Sequence, residues 1–301
     1  MTAKVHDVAI IGAGPAGVAA AVYLKRAGIS PLLIERGRVG GLLVNANLVE
    51  NYPGLPDGIS GKTFVGLLEK HLRKWGIRIT KAEVMSVTRQ GDIFRIESNN
   101  GEYLSRFLII ATGTRPKNIE LAGMDALLGK SVFNEVAELP ADVAGRRIIV
   151  IGGGDAAFDY AMNLAGRGGE VDVIFKSEKP KCLRLLLNRT KEEKRIRLFP
   201  ATIPQSIRDD GGRVTLNCRK GSREVAYHGD YVLIACGREP NNDILPAQLR
   251  EPPSESSEKA GTQNLFLVGD VRRGLYRQAG IAVGDGIAAA MTIIERLQKE
   301  E

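Results

Sequence analysis

The sequence predicts an α/β protein made of two similar three-layer halves, the second inserted into the first. Three observations carry that expectation. An apolar strand running into a glycine turn and a small-residue helix occurs near residue 8 and again near residue 148. A second repeated element, an apolar strand ending in a small-x-Gly turn, occurs at Phe107 to Gly113 and at Tyr231 to Gly237. The chain has 301 residues, 44% hydrophobic and 26% charged, which is ordinary globular material and enough for two domains. Repetition of one supersecondary unit is the pattern that most constrains the architecture.

The first copy runs from Val8-Ala-Ile-Ile11 through Gly12-Ala-Gly14-Pro15-Ala16-Gly17 into a helix over Val18 to Ala27, then a strand over Pro31 to Ile34 that ends at Glu35. The second runs from Arg147-Ile-Ile-Val-Ile151 through Gly152-Gly-Gly154-Asp155-Ala156-Ala157 into a helix through Leu164, then a strand over Val171 to Phe175. In such a turn the first glycine allows a tight reversal and the second lets a pyrophosphate approach the backbone. The third small residue lets helix and strand pack closely. The positive helix N-terminus then receives the phosphates. Both halves therefore read as Rossmann-like dinucleotide-binding domains.

The two copies differ where the second strand ends. Glu35 can accept bonds from an adenosine ribose that carries no 2′-phosphate. The matching end of the second copy is Phe175-Lys-Ser-Glu-Lys-Pro-Lys181, where Lys176, Lys179 and Lys181 suit a 2′-phosphate, so NADPH is favoured there. Glu178 keeps NADH open.

Each small-x-Gly strand is followed by an Arg and a Pro, so both mark points where the chain passes between domains. The expected domains are 1–113 with 239–301, and 114–238. Val84 to Ile96 and Glu102 to Ile110 read as an antiparallel meander turning at Asn99-Asn-Gly101; Gly212 to Cys218 and Glu224 to Tyr227 repeat the pattern. The tail returns to the first domain through a buried strand, Asn264 to Asp270, and a helix from Ala279 to Gln298. Arg250 to Ala260, rich in Pro, Ser and Glu, reads as a surface loop. Trp75 is expected in the core.

Taken in order, Gly12-x-Gly14-x-x-Gly17, Gly40-Gly41, Val49-Glu-Asn51-Tyr-Pro-Gly54, Ala111-Thr112-Gly113, Gly152 to Gly154, Gly269-Asp270 and Tyr276-Arg277-Gln278-Ala279 resemble the low-molecular-weight thioredoxin reductase family over nearly the whole chain. The resemblance implies FAD between the first and last segments, NADPH in the insert, and a homodimer. Residues expected at the two cofactors are Gly12, Gly14, Pro15, Ala16, Gly17, Glu35, Arg36, Gly40, Gly41, Leu42, Asn51, Ala111, Thr112, Gly113, Gly152, Gly154, Asp155, Ala156, Ala157, Lys176, Lys181, Gly237, Gly269, Asp270, Arg277, Gln278 and Ala279. Asp270, at a strand end, is placed for a ribityl hydroxyl. Tyr52 and Tyr276 either stack on the flavin or pack as core aromatics. No side chain is expected to be catalytic, since flavin N5 carries the chemistry.

One part of the family pattern is missing. Where such reductases carry a Cys-x-x-Cys, this chain has Glu135-Val-Ala-Glu138, and its three cysteines, Cys182, Cys218 and Cys236, are far apart in sequence. Carboxylates cannot form a disulfide, so thiol–disulfide exchange by the family's route is excluded. The two glutamates are expected as exposed acids sharing a helix face, with tuning of flavin protonation or repulsion of an acidic ligand as the sharper alternative. Thioredoxin-reductase-type ferredoxin (flavodoxin)–NADP reductases also lack the cysteines, and Gly145 to Ala157 is similar to that branch. Tyr276 to Ala279 is instead more similar to true thioredoxin reductases, and Leu42 stands where the family usually has Gln after Gly-Gly.

The net charge of +7 and the basic run from Lys176 to Arg197 then suggest, beyond a solvated face with a phosphate site, a docking surface for an acidic redox protein, ferredoxin or flavodoxin. A reductase of a small acceptor such as a quinone, free flavin or oxygen is the second reading. A flavin-binding protein with a vestigial nicotinamide site is the third. No helix-turn-helix or finger accompanies the charge, which argues against nucleic acid. His6, His71 and His228 have no ligand spacing, so no metal is expected. Neither a leader nor a stretch long enough to span a membrane is read, and a reducing cytoplasm fits the cysteine usage.

Overall fold

A computed structural model of the chain describes residues 4–250 and 264–300. Apart from Arg250, the loop expected over Arg250 to Ala260 lies outside the described residues. In chain order the elements are β1 (Val5–Ile11), α1 (Pro15–Arg26), β2 (Leu32–Glu35), α2 (Gly61–Lys74), β3 (Ile79–Lys81), β4 (Val84–Gln90), β5 (Ile93–Ser98), β6 (Gly101–Ile110) and β7 (Thr114–Pro116). There follow β8 (Val132–Phe133), β9 (Arg147–Ile151), α3 (Asp155–Gly166), β10 (Glu170–Ile174), α4 (Arg184–Glu192), β11 (Ile196–Phe199), β12 (Thr202–Asp209), β13 (Val214–Lys220) and β14 (Arg223–Gly229). The chain closes with β15 (Tyr231–Ile234), β16 (Arg238–Pro240), α5 (Ala247–Arg250), β17 (Leu265–Leu267) and α6 (Ala279–Gln298). Two compact units result: Met1–Val44, Glu50–Arg115 and Glu239–Glu301 form the first, Asn45–Val49 and Pro116–Arg238 the second. The connections β7 and β16 pair as a two-stranded ribbon.

In the first unit a seven-stranded sheet has the order β3-β2-β1-β6-β5-β4, with β17 also against β6. β3, β2, β1, β6 and β17 run parallel, and β4, β5 and the first half of β6 form the antiparallel meander. β6 serves both arrangements because it is long: Gly101 to Ser105 pair with β5, Leu108 to Ile110 with β17. Within Val84 to Ile96 the chain also turns at Gly91, between β4 and β5, where a φ of +61° lets it reverse. Val8, Ala9 and Ile10 are wholly buried, as expected of a parallel strand covered on both faces. α1 and α6 pack backbone to backbone: a Cβ on Gly286 would lie 2.1 Å from the Ala16 carbonyl oxygen.

Trp75 corrects an expectation. The apolar face of α2 is Phe64, Val65, Leu68 and Leu72, while Trp75 caps the helix C-terminus and is only half-buried. It lies at the C-cap, one residue past the last helical position, Lys74.

The second unit holds a five-stranded parallel sheet, β11-β10-β9-β15-β8, with α3 and α4 packed against it. A three-stranded antiparallel sheet, β12-β13-β14, contains the expected hairpin plus one strand more. Asp172 lies in the middle of β10 with its side chain 4% exposed. Its charge is matched by a two-pronged bond from Arg197, Nε to Oδ1 and Nη2 to Oδ2, each at 2.8 Å. Arg197, counted in the basic run, is therefore the partner of an internal carboxylate.

Candidate functional site

Most of the residues expected at cofactors lie at the carboxyl ends of parallel strands, where open α/β sheets place ligands. In the first unit β1 ends at the Gly12–Gly17 turn, β2 at Glu35-Arg36, β6 at Ala111-Thr112-Gly113, and β17 just before Gly269-Asp270. The order changes direction at β1, with β2 on one side and β6 on the other, so the glycine turn stands at the switch point.

The three glycines of that turn have separable roles. Gly12 has φ +105° and a Cβ there would sit 2.4 Å from the Ala111 carbonyl oxygen; one on Gly17 would sit 1.9 Å from that of Gly12. Only glycine fits either place. At Gly14 a Cβ would meet nothing within 4 Å, so the space over the helix start is open. Gly14 is the N-cap of α1, Pro15 follows it, no side chain caps the helix and no acid lies in its first turn. An uncapped helix terminus beneath open space suits a pyrophosphate.

Glu35 is locked rather than free. Its carboxylate accepts from the backbone N–H of Ala13 at 2.7 Å and of Gly37 at 2.6 Å, which fixes it beside the glycine turn. Gly40 donates to the Ala13 carbonyl at 2.8 Å, and Gly41 and Leu42 open the 3-10 turn Gly41–Asn45. Across the same unit Asn51 Nδ2 donates to Gln278 Oε1 at 2.7 Å, joining two expected residues 227 positions apart. Arg277 and Gln278 directly precede α6, and Ala279 is its first residue. Asp270 sits in a 3-10 turn, Gly269–Val271. Tyr276 is 78% exposed and thus no core aromatic, while Tyr52 makes an edge contact with Phe64, centroids 4.8 Å apart.

The second unit repeats the plan with a change. A Cβ on Gly152 would sit 2.4 Å from the Ala235 carbonyl oxygen, Gly154 faces open space, and Ala157 is the small packing residue. Here, however, the helix opens with Asp155, whose carboxylate accepts from the Leu183 N–H at 2.7 Å. That bond, with Lys181 N–H to the Gly153 carbonyl at 2.6 Å, holds the basic loop against the glycine turn. Lys176, Lys179 and Lys181 are exposed there, as is Ala156, and Gly237 follows β15 at the same sheet edge.

Glu135 and Glu138 do not form an exposed acidic pair on a helix face. The side chain of Glu135 is 12% exposed and precedes a single 3-10 turn, Val136–Glu138, as its N-cap. Its Oε1 takes Arg238 Nη1 at 2.5 Å; its Oε2 takes Tyr160 Oη at 3.0 Å and Asn45 Nδ2 at 2.8 Å. Burial raises the Glu135 carboxyl, opposed by Arg238 and Tyr160 and assisted by Glu138. Burial and the Glu135 charge also raise the Tyr160 phenol. Glu138 is exposed and spends its carboxylate on the N–H groups of Asn134 (3.0 Å) and Glu135 (3.2 Å). Nearby, Asp159 accepts from Asn47 N–H at 2.8 Å. Sequence reading missed Asn45, Asp159, Tyr160 and Arg238, and only partners distant in sequence give them meaning.

The three thiols are unpaired. Burial raises Cys182, assisted by Asp155, and pushes Cys218 up to about 12. Cys236 is an exposed residue whose sulfur lies against the Ile151 carbonyl at 3.4 Å, where desolvation raises it against the pull of Lys176. A raised thiol presents less of the nucleophilic thiolate. Among the described residues no cluster of His, Cys, Asp and Glu could hold a metal, and no helix is long and apolar enough to cross a membrane.

Comparison with known proteins identifies the family and the fold. Residues 6–286 match the model of a family described as pyridine nucleotide-disulphide oxidoreductase. The thioredoxin reductase of Bacillus subtilis (strain 168) is 31% identical over 307 aligned positions, covering 98% of this chain and 97% of that protein. Among solved structures, thioredoxin reductase of Lactococcus lactis superposes with TM-score 0.88 at 27% identity, over 98% of this chain and 99% of that one. That of T. acidophilum gives 0.87 at 28%, over 97% and 99%.

Proposed function

The chain belongs to the pyridine nucleotide-disulphide oxidoreductase family, as an oxidoreductase that uses FAD and a nicotinamide nucleotide, and from that premise we propose that it works without a protein disulfide. NADPH is the nucleotide and an acidic one-electron carrier, ferredoxin or flavodoxin, is the partner. The observation that carries this reading is the Glu135–Arg238–Tyr160–Asn45 cluster, which occupies with a buried, bonded carboxylate the place where the resemblance puts a dithiol. None of the three thiols has a partner sulfur, and desolvation raises all three.

The first unit would hold FAD, with its pyrophosphate over Gly14 and the α1 terminus, its adenosine ribose at Glu35, and its ribityl chain at Asp270. The second would hold NADPH over Gly154, with the 2′-phosphate at Lys176 and Lys181. Bound FAD supplies the exchange between two-electron and one-electron carriers. The protein's own part is to orient both nucleotides on rigid sheet edges.

Charge supports the choice of partner. Lys176, Lys179, Lys181, Arg184, Lys191, Lys194 and Arg195 are exposed, and among them Leu183 and Leu185 stand 61% and 54% exposed. Apolar contacts within a cationic surround fit an acidic protein steered by charge. The test is reoxidation of the NADPH-reduced protein. Fast electron transfer to ferredoxin or flavodoxin that slows steeply with salt supports the proposal. Salt-insensitive transfer to quinone alone selects the small-acceptor reading, and failure of NADPH and NADH to bleach the flavin selects the vestigial one.

A further inference from the structure

We infer that Asp285 is a positioning residue of the flavin site, acting through the turn that carries Asp270. The inference rests on FAD being the ligand of the first unit. Asp285 is the sole charged residue in the α6 segment from Ala279 to Thr292, and its side chain is only 9% exposed. Its Oδ2 accepts from the Gly269 N–H at 3.0 Å and from Arg273 Nε at 2.9 Å, while Arg273 Nη2 bonds its Oδ1.

One carboxylate thus holds both ends of the segment Gly269 to Arg273. Gly269, at φ +71°, is wedged between α1 and α6, where a Cβ would come within 3.0 Å of Ala16 Cβ and 3.3 Å of Ala282 Cβ. Backbone bonds continue the same clamp: Arg272 N–H to the Gly269 carbonyl at 3.0 Å and Tyr276 N–H to the Arg273 carbonyl at 2.8 Å. Without an acceptor at Asp285, the Gly269 amide would be buried and unpaired, and the turn would shift to find water. Asp270, the next residue, would move with it.

The test measures FAD binding by wild-type apoprotein, Asp285→Ala, Asp285→Asn and Arg273→Gln, together with apoprotein melting and the visible circular dichroism of bound flavin. Asp285→Ala should bind FAD roughly tenfold or more weakly with an altered visible band, while its apoprotein melts only slightly below wild type. Asp285→Asn, which keeps an oxygen toward Gly269, should recover part of the loss. Should Asp285→Ala fail to fold, Arg273→Gln decides: a several-fold weaker affinity supports the inference, and wild-type affinity overturns it. Wild-type affinity in a folded Asp285→Ala also overturns it, as does a loss matched by an equal fall in apoprotein melting. A wild-type apoprotein that takes up no FAD overturns the underlying reading and this inference together.

Discussion

Arg238, the last residue of the second unit, sets its guanidinium 2.5 Å from the Glu135 carboxylate, with the two side chains 19% and 12% exposed. Removing one charge of so enclosed a pair leaves the other uncompensated. Glu135→Gln should therefore lower stability to urea by about 3 kcal/mol, whereas Tyr160→Phe, which deletes a single hydrogen bond, should cost about 1 kcal/mol. Equal, negligible effects would show that the cluster is solvated.

The glycine turns predict three different phenotypes. Gly17→Ala places a methyl 1.9 Å from the Gly12 carbonyl oxygen and should prevent folding of the first unit. Gly14→Ala meets no protein atom within 4 Å, so it should leave apoprotein stability within about 1 kcal/mol of wild type while weakening FAD binding at least tenfold. Gly154→Ala should keep the flavin and lose reduction by NADPH. Flavin content, melting and NADPH-dependent bleaching distinguish the three.

Much of this was legible in sequence because the informative residues are local. Gly12, Gly14, Gly17 and Glu35 fall at fixed spacings along one strand–helix–strand unit, and the apolar runs of β1, β6, β9 and β15 announce strands buried on both faces. What sequence could not supply was partnership at a distance. Glu135 looked like a surface acid because Asn45, Tyr160 and Arg238 reach it from 90, 25 and 103 residues away. Asp285 likewise stood out only as one acid in a helix of small residues. Trp75 was expected in the core for its size and its place in the 68–72–75 spacing, but it lies at the C-cap, past the last helical residue, and is only half-buried.

Asp159 predicts a pH dependence. Burial raises its carboxyl from 3.8 to about 6, opposed by the N–H groups of Asn47 and Leu48 and assisted by Asp155. The folded state holds this proton more tightly than the unfolded chain, so the contribution is full below about pH 4 and is lost as pH rises through about 6. Asp159→Asn should remove that fall, on the order of 2 kcal/mol, from the urea-derived stability between those limits. A mutant profile parallel to wild type would assign the slope elsewhere.

The basic loop predicts nucleotide choice. Lys176 and Lys181 are exposed beside the second glycine turn, and each should contribute charge-assisted bonds to a 2′-phosphate. Lys176→Ala with Lys181→Ala should raise KM for NADPH about tenfold or more and leave that for NADH within about twofold, measured with ferricyanide as acceptor. An equal loss for both nucleotides would place the 2′-phosphate elsewhere.

Electron passage without a protein disulfide is tested most directly by anaerobic titration of the oxidised protein with NADPH alongside a count of reactive thiols under denaturing conditions. Full bleaching at about one NADPH per flavin, with the thiol count unchanged, is the predicted result. Uptake of about two, with new thiols appearing, would contradict the claim and restore a disulfide to the pathway.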